Sequence, residues 1–159
     1  MSNEAKQVEE VSKPNILVQF KKLDEKAVIP TYANIGDVGA DLTATSVKHV
    51  PATVEDAAYY EYGTGLAMKI PEGYGGFLFP RSSVSKKDLF LANSVGVIDP
   101  AYVGEVKLRF KYKTDPKRYE VGDRIGQLVI LPIPTINFSE VAELPVTQRG
   151  SNGFGSSGA

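Results

Sequence analysis

The chain contains no cysteine. That excludes disulfides, thiolate nucleophiles and cysteine-based zinc sites together, and it fits a reducing compartment. Histidine is almost as scarce. The single copy, His49, excludes paired-histidine metal sites and leaves Ser-His-Asp catalysis without support; in "SVKHVPAT" it reads as an inert position where a strand runs into a loop. No apolar run approaches the roughly 18 residues that a membrane helix needs. The opening "MSNEAKQVEEVSKP" has neither a hydrophobic centre nor an arginine-rich pattern, so it reads as a flexible lead-in and a cytoplasmic location is expected. Basic clusters are missing too. With 18 Lys and Arg against 19 Asp and Glu, the net charge is −1, and neither a nucleic acid nor a membrane is expected as partner. An anionic small molecule needs only a few local cations and stays open. Any catalysis therefore falls to carboxylates, hydroxyls, arginines and an oxygen-liganded cation such as Mg²⁺.

What is present is alternation. In "EVKLRFKYK" (105–113), Val106, Leu108, Phe110 and Tyr112 interleave with Lys107, Arg109, Lys111 and Lys113, which predicts a strand with one buried face. "NILVQFKK" (15–22), "GLAMKIPEG" (65–73) and "RIGQLVILP" (124–132) are further strand candidates. No four-turn helical pattern occurs. Short helices are expected at most in "VEDAAYYEY" (54–62) and in "SSVSKKDLF" after Arg81. This predicts an all-β sandwich or small barrel over residues 15–148, preceded by a lead-in at 1–14 and followed by a Gly/Ser-rich tail at 149–159. The aromatic-rich stretch 49–65 reads as a surface excursion or a partner-binding patch.

Four segments stand outside the strand pattern, each with a plain reading of its own. "GDVGADLTA" (36–44) sets Asp37 and Asp41 in a glycine-rich strand entry. "PRSSVSKKDL" (80–89) is a helix start whose free N–H groups, hydroxyls and Arg81 fork suit phosphate, or simply an N-cap beside a surface arginine. "ANSVGVIDPAYVGEVKL" (92–108) is a hairpin presenting Asp99 and Tyr102 at its turn, where Asp99 is either a general base or a turn-capping acid. "GDRIGQLVILP" (122–132) carries Gln127 within a strand, where the plain reading is a solvent-facing side chain.

In their order and separations, "DVGADL", "PRSS", "GVIDPAYVGE", "RIGQL" and the terminal "RGSNGFGSSG" resemble the five motifs of the trimeric dUTPase family. The resemblance spans residues 15–158. It implies a distorted β-barrel or jelly roll and a homotrimer whose C-terminal arms cross to neighbours. The implied reaction is hydrolysis of dUTP to dUMP and pyrophosphate, which limits uracil in DNA and supplies dUMP for dTMP synthesis. Mg²⁺ is held mainly by the triphosphate.

The resemblance also assigns roles. Asp99 matches the acid that deprotonates the water attacking the α-phosphorus. Ser82 matches a hydroxyl near the scissile bond, and Arg81, Ser83 and Gln127 match positions at the phosphates. Asp41 matches an acid that organises the metal–triphosphate region indirectly. Uracil is expected between the hairpin strands, lined by Asn93, Val97, Ile98 and Lys107, with Tyr102 under the deoxyribose to reject UTP. In the tail, Phe154 would stack on uracil, Arg149 would clamp the γ-phosphate, and Gly153, Gly155, Ser156 and Ser157 would wrap phosphate oxygens. Ordering such a glycine-rich tail costs about 1–2 kcal/mol per residue, which predicts a lid that closes only over substrate. Departures from the family pattern fall at Ala40, Ser83, Val103, Asn152 and Ser157; none removes an acid, donor or ring the mechanism needs. The rivals are a dCTP deaminase or bifunctional deaminase–hydrolase of the same fold, and a nucleotide-gated regulatory protein.

Overall fold

The computed structural model describes residues 15–114 and 117–151. Among them, nine strands follow one another: β1 (Gln19–Lys22), β2 (Ala40–Thr43), β3 (Ser46–Val50), β4 (Tyr59–Lys69), β5 (Tyr74–Phe79), β6 (Leu89–Leu91), β7 (Gly96–Ile98), β8 (Glu105–Tyr112) and β9 (Arg124–Pro132). All pairings are antiparallel. β4 is the hub of the first sheet. It pairs β8 along one side, while β3 takes Tyr59–Gly63 and β1 takes Leu66–Lys69 on the other; β6 lies beyond β8. The second sheet has the order β2-β9-β5-β7.

Period-2 alternation sets the core. Val106, Leu108 and Phe110 of β8 are buried while Lys107 and Arg109 face out. In the second sheet, Ala40, Leu128 and Leu78 stand in register and are all buried. The two inner faces join in one apolar cluster that includes Leu42, Tyr62, Ile70 and Ile125. Full burial of each large side chain is worth about 1.5–3 kcal/mol, so this cluster is the main source of stability.

The all-β class is as the sequence predicts, but the sheets stay open rather than closing into one barrel. The helix expected over 54–62 is not formed. Tyr59–Tyr62 extend into β4, because ladders to β3 on one side and β8 on the other outweigh local helix preference. The aromatics of 49–65 are accordingly not all surface. Tyr62 is fully buried, edge-on to Phe110 and Tyr119, while Tyr60 packs with His49 and Tyr112. His49 is therefore tied in, its Nε2 lying 2.7 Å from the Tyr112 hydroxyl. The segment 51–57 remains an exposed loop. After Arg81 only a five-residue 3₁₀ helix forms, Ser82–Lys86. Beyond Pro132 the described chain runs without strand, exposed throughout.

Candidate active site

β7 creates the cleft. The chain leaves the first sheet at the end of β6, joins the second as β7, and returns to the first as β8. Because β7 pairs only β5, one of its edges has no strand partner among the described residues. The crossing opens a cleft of about 580 Å³ lined by Asn93, Val97, Ile98, Asp99, Tyr102 and Lys107. All six are predicted site residues.

The hairpin expected over 92–108 is not formed, because β7 pairs β5 while β8 pairs β4 and β6; the turn between β7 and β8 is a crossover between the two sheets, built on Pro100. The Tyr102 N–H donates to the Asp99 carbonyl at 3.0 Å, closing a β-turn with proline in the second position, where its fixed φ is favoured. The Lys69 ammonium donates to the Pro100 carbonyl at 3.0 Å, fastening the turn to β4. Asp99 is exposed at the mouth. The Tyr102 hydroxyl donates to the Glu105 carbonyl at 2.8 Å.

Charge on the cleft floor is largely compensated. Glu61 stands opposite Arg109 across β4 and β8, and Arg109 donates from Nε to Glu61 Oε2 at 2.8 Å. Lys107 lies 3.4 Å from Glu61 and 3.5 Å from Glu105. Burial pushes the Glu61 carboxyl up, but the Arg109 hydrogen bond and the Lys107 charge outweigh it and leave the group below its ordinary range. The charges of Glu61 and then Glu105 hold the Lys107 ammonium above its own.

The phosphate-type residues lie elsewhere. Asp41, Gln127 and Phe79 are register partners across β2, β9 and β5, so their side chains share one face. That face is opposite to buried Ala40, Leu128 and Leu78, and thus points away from the core. Arg81 follows β5 by two residues and brings Nε to 2.9 Å from Asp41 Oδ1. Arg124 donates from Nη1 to Asp41 Oδ2 at 2.9 Å. Asp41 is thus flanked by two guanidinium groups, Arg124 through a hydrogen bond and Arg81 through an ion-pair contact without hydrogen-bond geometry. A Cβ on Gly39 would fall 3.0 Å from Gln127 Cβ, so this glycine gives Gln127 its place. Ser82 opens the 3₁₀ helix, its carbonyl accepting from the Ser85 hydroxyl, and Ser83 lines a shallow hollow with Arg81, Lys87 and Arg124.

The cleft and this hollow share no lining residue. Arg149 sits in an exposed turn in which the Gly150 N–H donates to the Thr147 carbonyl. The predicted tail residues Gly153, Phe154, Gly155, Ser156 and Ser157, with Asn152, lie outside the described residues, as does the lead-in 1–14. Two residues that the sequence reading did not single out also line these hollows, Glu61 in the cleft and Arg124 beside Arg81. Arg124 begins the "RIGQL" stretch and could have been drawn from it; Glu61 sits among tyrosines and carries no local signal.

A family model described as dUTPase matches residues 25–158. The chain belongs to the dUTPase family. Among its relatives, the deoxyuridine 5′-triphosphate nucleotidohydrolase of Streptomyces coelicolor is 38% identical over 152 residues, 93% of this chain and 80% of that protein. The enzyme of the same name from Gloeobacter violaceus is 36% identical over 90% of this chain and 97% of its own. The dUTPase of Staphylococcus bacteriophage 80alpha, solved with dUpNHpp, superposes with a TM-score of 0.76 at 31% identity, covering 90% of this chain and 99% of that one. A dUTPase from phage phi11 of S. aureus, solved as a point mutant and described as coordinating a structural Mg(II) ion, gives 0.64 at 26% identity over 80% of this chain and 97% of its own. The cleft and the Asp41–Arg81–Gln127 face are thus parts of a dUTPase scaffold.

Proposed function

We propose that this dUTPase hydrolyses dUTP to dUMP and pyrophosphate in sites assembled between chains of a homotrimer. The observation that carries the reading is the cleft beside β7, with Asp99 at its mouth and Tyr102 on its wall. A strand with one unpaired edge offers alternating N–H and C=O groups, which suits the donor and acceptor edge of uracil. Cytosine carries an amino donor where uracil carries O4, so the same edge leaves polar groups unpaired and rejects it by about 10⁴-fold or more.

Asp99 takes a proton from a water molecule whose oxygen bonds to the α-phosphorus. The bond from that phosphorus to the bridging oxygen breaks, and pyrophosphate leaves with its electron pair. Arg81, Ser82 and Gln127 supply fixed donors for the charge that gathers on the leaving group. Arg149, with the tail beyond it, closes over the triphosphate.

The donor set fits a magnesium ion that arrives with the nucleotide. Among the described residues no group of three His, Asp or Glu side chains gathers to hold a metal, and Asp41 is engaged by two arginines. The triphosphate oxygens then provide the coordination and the ion screens their charge, making the substrate the magnesium complex of dUTP.

Trimer assembly supplies what one chain lacks. The outward face of the second sheet carries half-buried Phe77, Phe79 and Val129, and the strap after Pro132 leaves Phe138 93% and Val146 101% exposed. Apolar surface of that extent fits burial against neighbouring chains. Joining the cleft of one chain to the Arg81 face of another completes the constellation. The test is pyrophosphate release from dUTP, dCTP, dTTP and UTP, with and without magnesium. Turnover of dUTP alone supports the reading, whereas ammonia released from dCTP would place the chain with deaminases.

A further inference from the structure

We propose that Gly104 and Glu105 are positioning residues that fix the Tyr102 ring as a rigid wall of the cleft, and that this fixation sets the preference for deoxyribose over ribose. The inference rests on the dUTP reading and goes beyond it, from the residue that meets the sugar to the residues that hold it there.

Tyr102 is 45% exposed on the turn between β7 and β8, where an aromatic side chain would ordinarily exchange rotamers within nanoseconds. Here its hydroxyl donates to the carbonyl of Glu105, three residues ahead, at 2.8 Å. Reaching that carbonyl folds the ring back over Gly104, where a Cβ would lie 2.6 Å from the Tyr102 Oη, 2.7 Å from Cζ and 3.0 Å from Cε2. All three atoms belong to the far end of one side chain. A methyl at 104 therefore displaces the ring, not the backbone.

The residue that carries the accepting main-chain carbonyl is itself held through its side chain. Glu105 Oε1 accepts the Gly65 N–H at 3.0 Å, at the irregularity where the β4–β8 register shifts between Gly63 and Ala67. Gly65 has φ +64°, a conformation that glycine adopts without penalty. A Cβ on Gly63 would fall 2.6 Å from the same Oε1, so glycine there makes room for the carboxylate. The other carboxylate oxygen is 3.5 Å from Lys107, which also lines the cleft. The bulge holds Glu105, Glu105 holds the Tyr102 hydroxyl, and Gly104 allows the ring to lie between. A wall held at both ends resists an added 2′-hydroxyl; a ring free to swing admits it.

The experiment compares kcat/KM for dUTP and UTP in the wild type, Gly104→Ala, Tyr102→Phe and Glu105→Gln. Gly104→Ala and Tyr102→Phe are expected to lower the dUTP-over-UTP preference by about tenfold or more, with a smaller loss for Glu105→Gln, since displacement of a contact by about 1 Å already costs up to 10²-fold. Should Gly104→Ala not fold, Tyr102→Phe decides alone, because it removes one oxygen and adds nothing. A preference unchanged within twofold in folded Tyr102→Phe overturns the inference, as does an equal loss on both nucleotides. A wild-type protein that turns over no dUTP fails the functional reading instead, so the two failures are distinguishable.

Discussion

Arg81 and Asp41 meet at 2.9 Å on the outward face of the second sheet, the guanidinium reaching across through Nε. That contact leaves the outer fork of Arg81 for a second anion. Asp41→Asn is expected to loosen the arginine and raise the KM for dUTP about tenfold, in line with the loss of one charge-assisted contact. Steady-state kinetics across a salt series would check it; an unchanged KM would show that Arg81 is held by other means.

Asp99 gives the sharpest kinetic outcome. Replacing it with Asn keeps size and removes basicity, so dUTP binding should stay within about tenfold while turnover falls about 10²–10⁴-fold. Calorimetric titration with a non-hydrolysable analogue, paired with pyrophosphate release, separates the two effects. A variant that still turned over at near wild-type rate would end the base assignment.

If sites form between chains, two crippled proteins should repair one another. Asp99→Asn and Arg81→Ala chains, unfolded together and refolded as a mixture, are expected to recover activity that neither shows alone. In a mixed trimer, one site draws its Asp99 turn from the Arg81→Ala chain and its phosphate face from the Asp99→Asn chain. No recovery, with mixed trimers verified by mass, would mean that each site is built within one chain.

Tyr62 predicts an alkaline limit to stability. Burial, only partly offset by its contact with the Tyr119 backbone, pushes its phenol up to about 12. Its hydroxyl accepts the Tyr119 N–H at 3.1 Å and lies 3.3 Å from the Tyr119 carbonyl. The folded state binds this proton more tightly than the unfolded chain does. The stabilisation is therefore complete below about pH 10 and is lost as pH rises from 10 towards 12. Tyr62→Phe should flatten that loss while lowering stability at neutral pH by about 1 kcal/mol for the missing hydrogen bonds. Melting curves at pH 8 to 11.5 on both proteins would show it.

In the core, Phe110→Ala should lower stability by about 3–5 kcal/mol, because the ring is fully buried between Tyr62 and Tyr119. Urea unfolding measures this directly. A loss under about 1 kcal/mol would mean that the surrounding tyrosines collapse into the space.

How much was legible depends on whether a segment obeys one local rule. β8 was readable because Val106, Leu108 and Phe110 face one way and charges the other. The second half of β4 was readable in "GLAMKIPEG", but its first half was not, because residues 62–68 are all buried, its irregularity abolishes the alternation, and its tyrosines mimic a short amphipathic turn. That Asp99 and Tyr102 line one cleft was legible because a single short turn gathers neighbours in sequence. The pair Asp41–Arg124 is separated by 83 positions and becomes visible only when β2 and β9 align. The separation of the cleft from the Arg81 hollow has no local signal either, since it follows from which face of a sheet each residue occupies.

The edge of β7 that has no strand partner among the described residues carries a hazard besides its proposed use. An open ladder accepts any foreign strand that can match it, which is how many β proteins begin to aggregate. This one is only three residues long, bounded by Ser94 with φ 61° just before it and by Pro100, which has no N–H to offer, just after. A nucleobase fits within so short a stretch, whereas an invading polypeptide would find too few rungs to hold.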